Sequence, residues 1–206
     1  SLAVIGYTKW APAWLAGRAA AKMRQDDPGP IKDKKVREAI HRSIDVDAIK
    51  RTVMRGQSFP TNLMVAPGIN GYMKDLDNRP ALLKPEDARK MLADAGYPNG
   101  FEVGMDCPND RYVNDEKICQ AVVAMLARIG VKVNLRAQTR NLYFAKILRK
   151  ADLKPGDTSF YMLGWSPAQT YDVHNVFEAL IQTPNGATKK GQFNAGGYSN
   201  PAVDKL

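Results

Sequence analysis

The second half of the chain alternates between two hydrophobic periods, and this alternation is the strongest constraint on its fold. In residues 101–106 apolar residues alternate with polar or small ones, as they do in a strand. Residues 114–129 carry apolar residues at helical spacing, and residues 131–137 return to strand alternation. A helix near 140–150 and a strand at 158–163 complete a βαβαβ pattern, which predicts parallel strands joined by crossover helices.

Parallel sheets of this kind bind ligands beyond the carboxyl ends of their strands. In this sequence those ends are residues 107–114, 138–141 and 164–172. A ligand site is therefore predicted at one edge of the sheet, formed by these three segments.

Three side chains in these segments are candidate ligand contacts, and each has an alternative role. Arg111 can hold a carboxylate with two parallel hydrogen bonds, or can be a solvated arginine. Trp165 can be an apolar wall for a ligand, or part of the core. Asp172 can pair with a cationic group, or can cap a helix over residues 173–181. His174 is expected to be structural.

The part of the chain before residue 100 predicts additional elements. They are a strand at 2–7, a helix at 12–25, two helices capped by Asp33 and Asp45, an irregular stretch at 57–83 and a helix that begins at Pro85. The two aspartates are assigned as caps because their carboxylates can accept hydrogen bonds from the unpaired N–H groups of a first helical turn.

The formal charge of +9 comes from 30 Lys+Arg against 21 Asp+Glu and raises nucleic acid as a partner. The densest basic stretch, residues 33–55, suggests an alternative function as a basic nucleic-acid or protein interaction module. Acidic residues such as Glu38 and Asp47 are interleaved with the basic ones, however, which is typical of solvated helix faces. We therefore expect no nucleic-acid partner.

The two cysteines, Cys107 and Cys119, leave two states open. They can form a disulfide in an exported protein, or they can be free or buried thiols, which is the state we expect. Together with His41 and His174 they do not have the spacing of a zinc site. No metal and no cofactor are expected.

A hydrolase is the remaining alternative, because residues 164–168 (GWSPA) are one residue short of the G-x-S-x-G nucleophile motif. The residue after the nucleophilic serine normally donates an N–H group to the oxyanion, and Pro167 has none. The sequence therefore favours a protein that is not an enzyme.

Several stretches, in order along the chain, resemble extracytoplasmic solute-binding proteins of the dipeptide, oligopeptide and nickel class of ABC importers (family 5). The stretches are 30–45 (PIKDKKVREAIHRSID), 85–101 (PEDARKMLADAGYPNGF), 121–133, the Gly164-Trp165 pair and 197–204 (GYSNPAVD). The likeness covers residues 30–206, and residues 1–29 match poorly.

The resemblance implies an α/β fold, namely a periplasmic-binding-protein-like lobe with a βαβαβ core and additional helices. Residues 30–206 would be the C-terminal ligand-binding lobe, and residues 1–29 a separate N-terminal segment. Since family members are longer, we expect a fragment of a longer chain. The implied partners are a peptide or other small solute, the N-terminal lobe of the same protein and an ABC permease in the membrane. The implied location is periplasmic or otherwise extracytoplasmic.

The resemblance also indicates ligand contacts. Residues 108–112 are similar to a loop in which some dipeptide-binding members carry a carboxylate-binding arginine. Peptide-binding members hold the ligand's ammonium with an aspartate shortly after the Gly-Trp pair, where this chain has Ala168 or Gln169. The predicted ligand-binding residues are Arg111, Trp165, Tyr112, Asn109, Asp172 and Gln169.

Overall fold

The computed structural model describes residues 3–7, 18–24, 28–65, 67–148, 158–166 and 170–205. Six strands form one sheet: β1 (Ala3–Tyr7), β2 (Arg18–Met23), β3 (Ser58–Thr61), β4 (Phe101–Pro108), β5 (Val131–Gln138) and β6 (Phe160–Trp165). Their order across the sheet is β3-β1-β2-β6-β4-β5. The sheet is mixed, because β6, β4 and β5 run parallel while β3, β1, β2 and β6 pair antiparallel.

Helices pack on this sheet. They are α1 (Lys34–Ser43), α2 (Val46–Thr52), α3 (Pro85–Asp94), α4 (Asp115–Ala127), α5 (Arg140–Leu148) and α6 (His174–Val176), which continues into a π-helical segment, Phe177–Ile181. Two short 3-10 turns lie at Pro30–Lys32 and Lys74–Leu76. Of the helices in the described ranges, none has the length and apolar character that crossing a membrane requires.

The predicted βαβαβ unit is confirmed. Strand β4 pairs with β5 in parallel along its whole length, from the Phe101–Val131 pair to the Pro108–Gln138 pair. Strand β6 lies on the other side of β4, where Phe160 is opposite Met105. The first strand of the unit therefore occupies the middle of the parallel part, between the two strands that follow it in sequence.

Each face of the sheet has its own hydrophobic core. In β6, Phe160 and Met162 belong to the core under α1–α4, while Tyr161 and Leu163 belong to the core under α5 and α6. This alternation places α4 and α6 on opposite faces, which matters for the site described below.

Two expectations for the part before residue 85 are wrong. Residues 18–23 form strand β2 and not part of a helix; residues 12–17 and 25 of that predicted helix lie outside the described ranges. Alanines favour a helix, but pairing with both β1 and β6 outweighs this local preference. In the stretch expected to be irregular, Ser58–Thr61 forms β3, an edge strand, where Pro60 is tolerated.

The predicted caps are confirmed, since the Asp33 carboxylate accepts the Lys35 N–H at 2.6 Å and the Asp45 carboxylate accepts the Ala48 N–H at 2.8 Å. Some basic side chains of the stretch 33–55 form hydrogen bonds and ion pairs within the fold. The Arg37 guanidinium donates to the backbone carbonyls of the preceding 3-10 turn at 2.7 and 3.0 Å, and Arg42 forms an ion pair with Glu38 at 3.3 Å.

Cys107 and Cys119 form a disulfide, so the expectation of free or buried thiols is wrong. The bond joins the end of β4 to the second turn of α4 and is fully buried. Packing of α4 on β4 brings the two Cα atoms to 6.6 Å, a distance that a disulfide spans. Sequence spacing alone does not reveal this approach.

Candidate functional site

The segments that follow β4 and β6 separate at the carboxyl ends of these neighbouring strands. The segment after β4 leads to α4 on one face of the sheet, and the segment after β6 leads to α6 on the other. Such a divergence leaves a crevice at the sheet edge, which is where open α/β sheets bind ligands.

A surface cavity of about 670 Å³ opens at this crevice. Three of the six predicted ligand residues, Arg111, Tyr112 and Trp165, line the same cavity. They come from two separate segments, and the fold brings them together. The rest of the wall includes Phe144 of α5, the helical residues Asn175 and Glu178, and the C-terminal residues Lys189, Gln192 and Phe193.

The loop that carries Arg111 and Tyr112 is held by the first residue of α4, the buried Asp115. Its carboxylate accepts the backbone N–H groups of Arg111 at 3.0 Å and of Tyr112 at 2.9 Å. These two bonds hold the loop backbone against the start of α4, and thereby place the guanidinium of Arg111 at the cavity.

Tyr112 joins this loop to the end of β6. Its hydroxyl donates to the Gly164 carbonyl at 3.2 Å. Burial raises the pKa of Tyr112, so the hydroxyl stays protonated and remains a donor. A Cβ atom at residue 164 would overlap the Tyr112 ring, and glycine is therefore the residue that this contact permits.

Trp165 is held from two sides and is half-buried. Its indole N–H donates to the side-chain carbonyl of Asn175 at 2.9 Å. Its ring packs against Phe193 with centroids 4.9 Å apart and planes at 58°. Trp165 therefore packs on the core under α5 and α6 and also lines the cavity, so its two alternative roles are combined.

The charged side chains of the cavity wall are two cations and one carboxylate, namely Arg111, Lys189 and Glu178. The Arg111 guanidinium lies 5.3 Å from the centroid of the Tyr112 ring, a cation–π contact. In the ranges that the structure describes, none of the three forms an ion pair or a hydrogen bond through its charged group with an oppositely charged residue.

Two of the other predicted ligand residues lie outside the cavity wall, and the third cannot be placed. Asn109 is exposed and donates its backbone N–H to the Gln138 carbonyl at 2.9 Å. The Asp172 carboxylate accepts the His174 N–H at 2.7 Å and the Asn70 amide at 2.6 Å, and these bonds lower its pKa. Gln169 is outside the described residues. The role of each of these residues in binding stays a prediction.

Sequence reasoning missed Glu178, Lys189 and Phe193. Glu178 belongs to the π-helical segment after α6, and the other two belong to the C-terminal segment, which folds back over the end of β6. The hydrophobic pattern and motifs of residues 182–193 do not predict that this segment packs on the end of β6, because such packing is long-range.

Residues 16–188 match the model of the bacterial extracellular solute-binding proteins, family 5, middle region. Because this match covers most of the chain, the chain belongs to that family. The resemblance noted in the sequence is thereby confirmed, while the boundary expected at residues 29 and 30 stays a prediction.

Curated relatives include glutathione-binding proteins GsiB. The one from Pectobacterium atrosepticum is 31% identical over 175 residues, which are 85% of this chain and 32% of the relative. The one from Salmonella typhimurium is also 31% identical over 175 residues and is covered to 33%. The chain thus spans about a third of the length of these relatives.

Solved structures with a similar fold include HbpA2 from Haemophilus parasuis, with a TM-score of 0.77 and 21% identity over 100% of this chain and 37% of that one. A dipeptide-binding protein from Pseudoalteromonas in complex with Met-Leu has a TM-score of 0.76 and 21% identity, over 99% of this chain and 37% of that one. These likenesses confirm the α/β, periplasmic-binding-protein-like fold.

Proposed function

We propose that this chain is a ligand-binding lobe of the substrate-binding component of an ABC importer. It captures a peptide-like solute between itself and the N-terminal lobe of the same protein, outside the cytoplasm, and delivers it to a membrane permease. The observation that carries the proposal is the convergence of Arg111, Tyr112 and Trp165 on one cavity in a member of family 5.

The residues of the cavity divide the work of binding. Arg111 takes the ligand's carboxylate, because a guanidinium offers parallel N–H donors that match the two carboxylate oxygens. Trp165 and Tyr112 supply apolar surface against which the ligand's carbon atoms pack. Asp115 holds the backbone of the Arg111 loop and Gly164 holds Tyr112 before the ligand arrives, which reduces the ordering cost of binding.

Release to the permease follows from the two-lobed design. A solute held between two lobes is enclosed when the lobes hinge together and is freed when they separate. The cavity is open to the surface, so a second lobe has access to a ligand bound there. The relatives named as glutathione-binding proteins and the neighbour bound to Met-Leu support a peptide-like solute.

The test is a titration of the 206-residue chain with short peptides, followed by two-dimensional NMR so that millimolar binding is measured. Arg111→Ala is expected to weaken peptide binding by about tenfold or more, the size of a charge-assisted hydrogen bond. Arg51→Ala is the matched control, because Arg51 is an exposed arginine of α2 outside the cavity. Unchanged affinity in Arg111→Ala would refute the assignment.

A further inference from the structure

We infer that Lys189 and Glu178 set the selectivity of this cavity, and that its preferred ligand is a short peptide with a free amine and an acidic side chain. This inference rests on the proposed function, because it concerns the same cavity. It adds a substrate class and two residues that the sequence motifs do not indicate.

The first step is the charge count. The cavity wall presents two cations, Arg111 and Lys189, and one carboxylate, Glu178. Among the described residues, none of the three forms an ion pair with another charged side chain, although the Arg111 guanidinium also contacts the Tyr112 ring. Charges left over on the wall of a cleft are complementary to a ligand with two anionic groups and one cationic group.

The second step is that Lys189 and Glu178 lie on one connected unit. The Gly191 N–H donates to the Glu178 carbonyl at 2.7 Å, and the Phe193 N–H donates to the Ala179 carbonyl at 3.0 Å. These bonds tie the turn that carries Lys189 to the helical segment that carries Glu178. The bonds fix the backbone positions from which the two charged side chains extend, and this lowers the ordering cost of placing both charges against a ligand.

The third step is that the backbone of the turn that contains Lys189 and Gly191 is constrained by its neighbours. Gly191 has a φ of +64°, and a Cβ atom there would overlap the Gln182 carbonyl. Lys189 itself has a φ of 58°, a left-handed conformation that is uncommon for lysine and is kept here by the surrounding bonds. Packing of Phe193 on Trp165 then joins the turn to the end of β6.

The ligand that satisfies all three charges is a peptide whose terminal carboxylate binds Arg111. Its acidic side chain reaches Lys189, and its amine reaches Glu178. Because Arg111 comes from the segment after β4 and the other two residues from the C-terminal part, such a ligand bridges both sides of the cavity.

Matched ligands test this arrangement on the 206-residue chain. The dipeptides Ala-Glu and Ala-Gln differ only by a carboxylate in place of an amide, and we expect Ala-Glu to bind about fivefold more tightly, as for a solvent-screened ion pair. Lys189→Gln should abolish this preference, so that the ratio of the two affinities falls to about one. Lys190→Gln is the control, because Lys190 lines a different pocket and should keep the preference.

The amine contact is tested with N-acetyl-Ala-Glu, which lacks the positive charge. We expect acetylation to weaken binding by about fivefold in the original chain and to have no effect in Glu178→Gln. If Ala-Glu and Ala-Gln bind equally, or if acetylation weakens both proteins alike, the inference is overturned while the proposed function stands. If no peptide binds to the folded chain, the proposed function falls and the inference falls with it.

Discussion

The ring of Tyr112 fills the space into which a side chain at Gly164 would project, and the Tyr112 hydroxyl donates to the Gly164 carbonyl at 3.2 Å. This contact joins the loop after β4 to the end of β6 and places Tyr112 beside Trp165 in the cavity wall. The glycine of the Gly164-Trp165 pair therefore has a packing role, since it accepts an aromatic ring from the neighbouring strand's loop.

Gly164→Ala is predicted to displace Tyr112, because the new methyl group and the ring cannot share the same space. The expected loss is about 1–3 kcal/mol in the free energy of unfolding, as for other overpacked sites, together with weaker peptide binding. Chemical denaturation and the NMR titration measure the two effects. Gly186→Ala is the control, since nothing lies within 4 Å of its added Cβ; equal losses in both variants would contradict the explanation.

Removing the disulfide is predicted to destabilise the protein and to loosen the Arg111 loop. Cys107 and Cys119 are 12 residues apart, and the loop they close contains Arg111 and Tyr112. In the chain-entropy account, a loop of this length contributes about 3 kcal/mol. Denaturation of the double variant Cys107→Ala, Cys119→Ala measures the loss.

Reductant supplies the control for this prediction. Added reductant should lower the denaturation midpoint of the original chain and leave that of the double variant unchanged. A midpoint in the original chain that does not respond to full reduction, verified by thiol labelling, would argue against a stabilising role for the bond.

Stability is predicted to fall in weak acid because of His41. Burial, followed by the charges of Arg79 and Arg42, lowers the pKa of His41 from 6.5 to about 4. A histidine whose folded pKa is depressed binds its proton more readily in the unfolded state. The stability that the neutral His41 contributes to the folded state is therefore complete above pH 6.5 and is lost as the pH falls from there to about 4.

The expected loss from His41 between pH 7 and pH 4 is about 2 kcal/mol, because solvent screening makes it smaller than the full shift would give. Denaturation curves at a series of pH values measure it. His41→Gln should flatten this part of the pH profile, whereas the exposed His174→Gln should leave it unchanged. A profile that keeps its slope in His41→Gln would assign the acid sensitivity to other groups.

Among the replacements proposed here, that of Asp106 is predicted to lower the free energy of unfolding most. Its fully buried carboxylate accepts hydrogen bonds from Thr158 at 2.5 Å, Gln138 at 2.9 Å and Lys146 at 3.0 Å, and it pairs with Arg136 at 3.2 Å. Asp106→Ala leaves these donors facing an uncharged site, with an expected loss of about 3–5 kcal/mol.

The matched control for Asp106 lies on the same strand. Glu102 pairs with Lys132 across the same two strands at 2.7 Å, but both side chains are exposed. Glu102→Ala should therefore lower the stability much less than Asp106→Ala, because solvent screens an exposed ion pair. Similar losses at residues 102 and 106, measured by urea denaturation, would show that burial does not control the strength of these ion pairs.

Local patterns were sufficient to predict the parallel unit but not its neighbours. The alternation of apolar and polar residues in 101–106 and 131–137 predicts β4 and β5, since the two-residue period of a strand is visible in adjacent residues. The helix expected over residues 12–25 is wrong at residues 18–23, although their alanines favour a helix. Pairing with β1 and β6 made them a strand, and those partners are distant in sequence.

The candidate site divides in the same way. The sequence by itself determined which segments end the parallel strands or follow them, and that Arg111, Tyr112 and Trp165 lie in these segments, because strand ends follow from local periodicity. Only the tertiary structure decided that these residues share a cavity with Glu178 and Lys189, and that Cys107 is bonded to Cys119. The physical reason is that both outcomes depend on packing between segments far apart in the chain or on different elements, and packing of that kind leaves no period in the sequence.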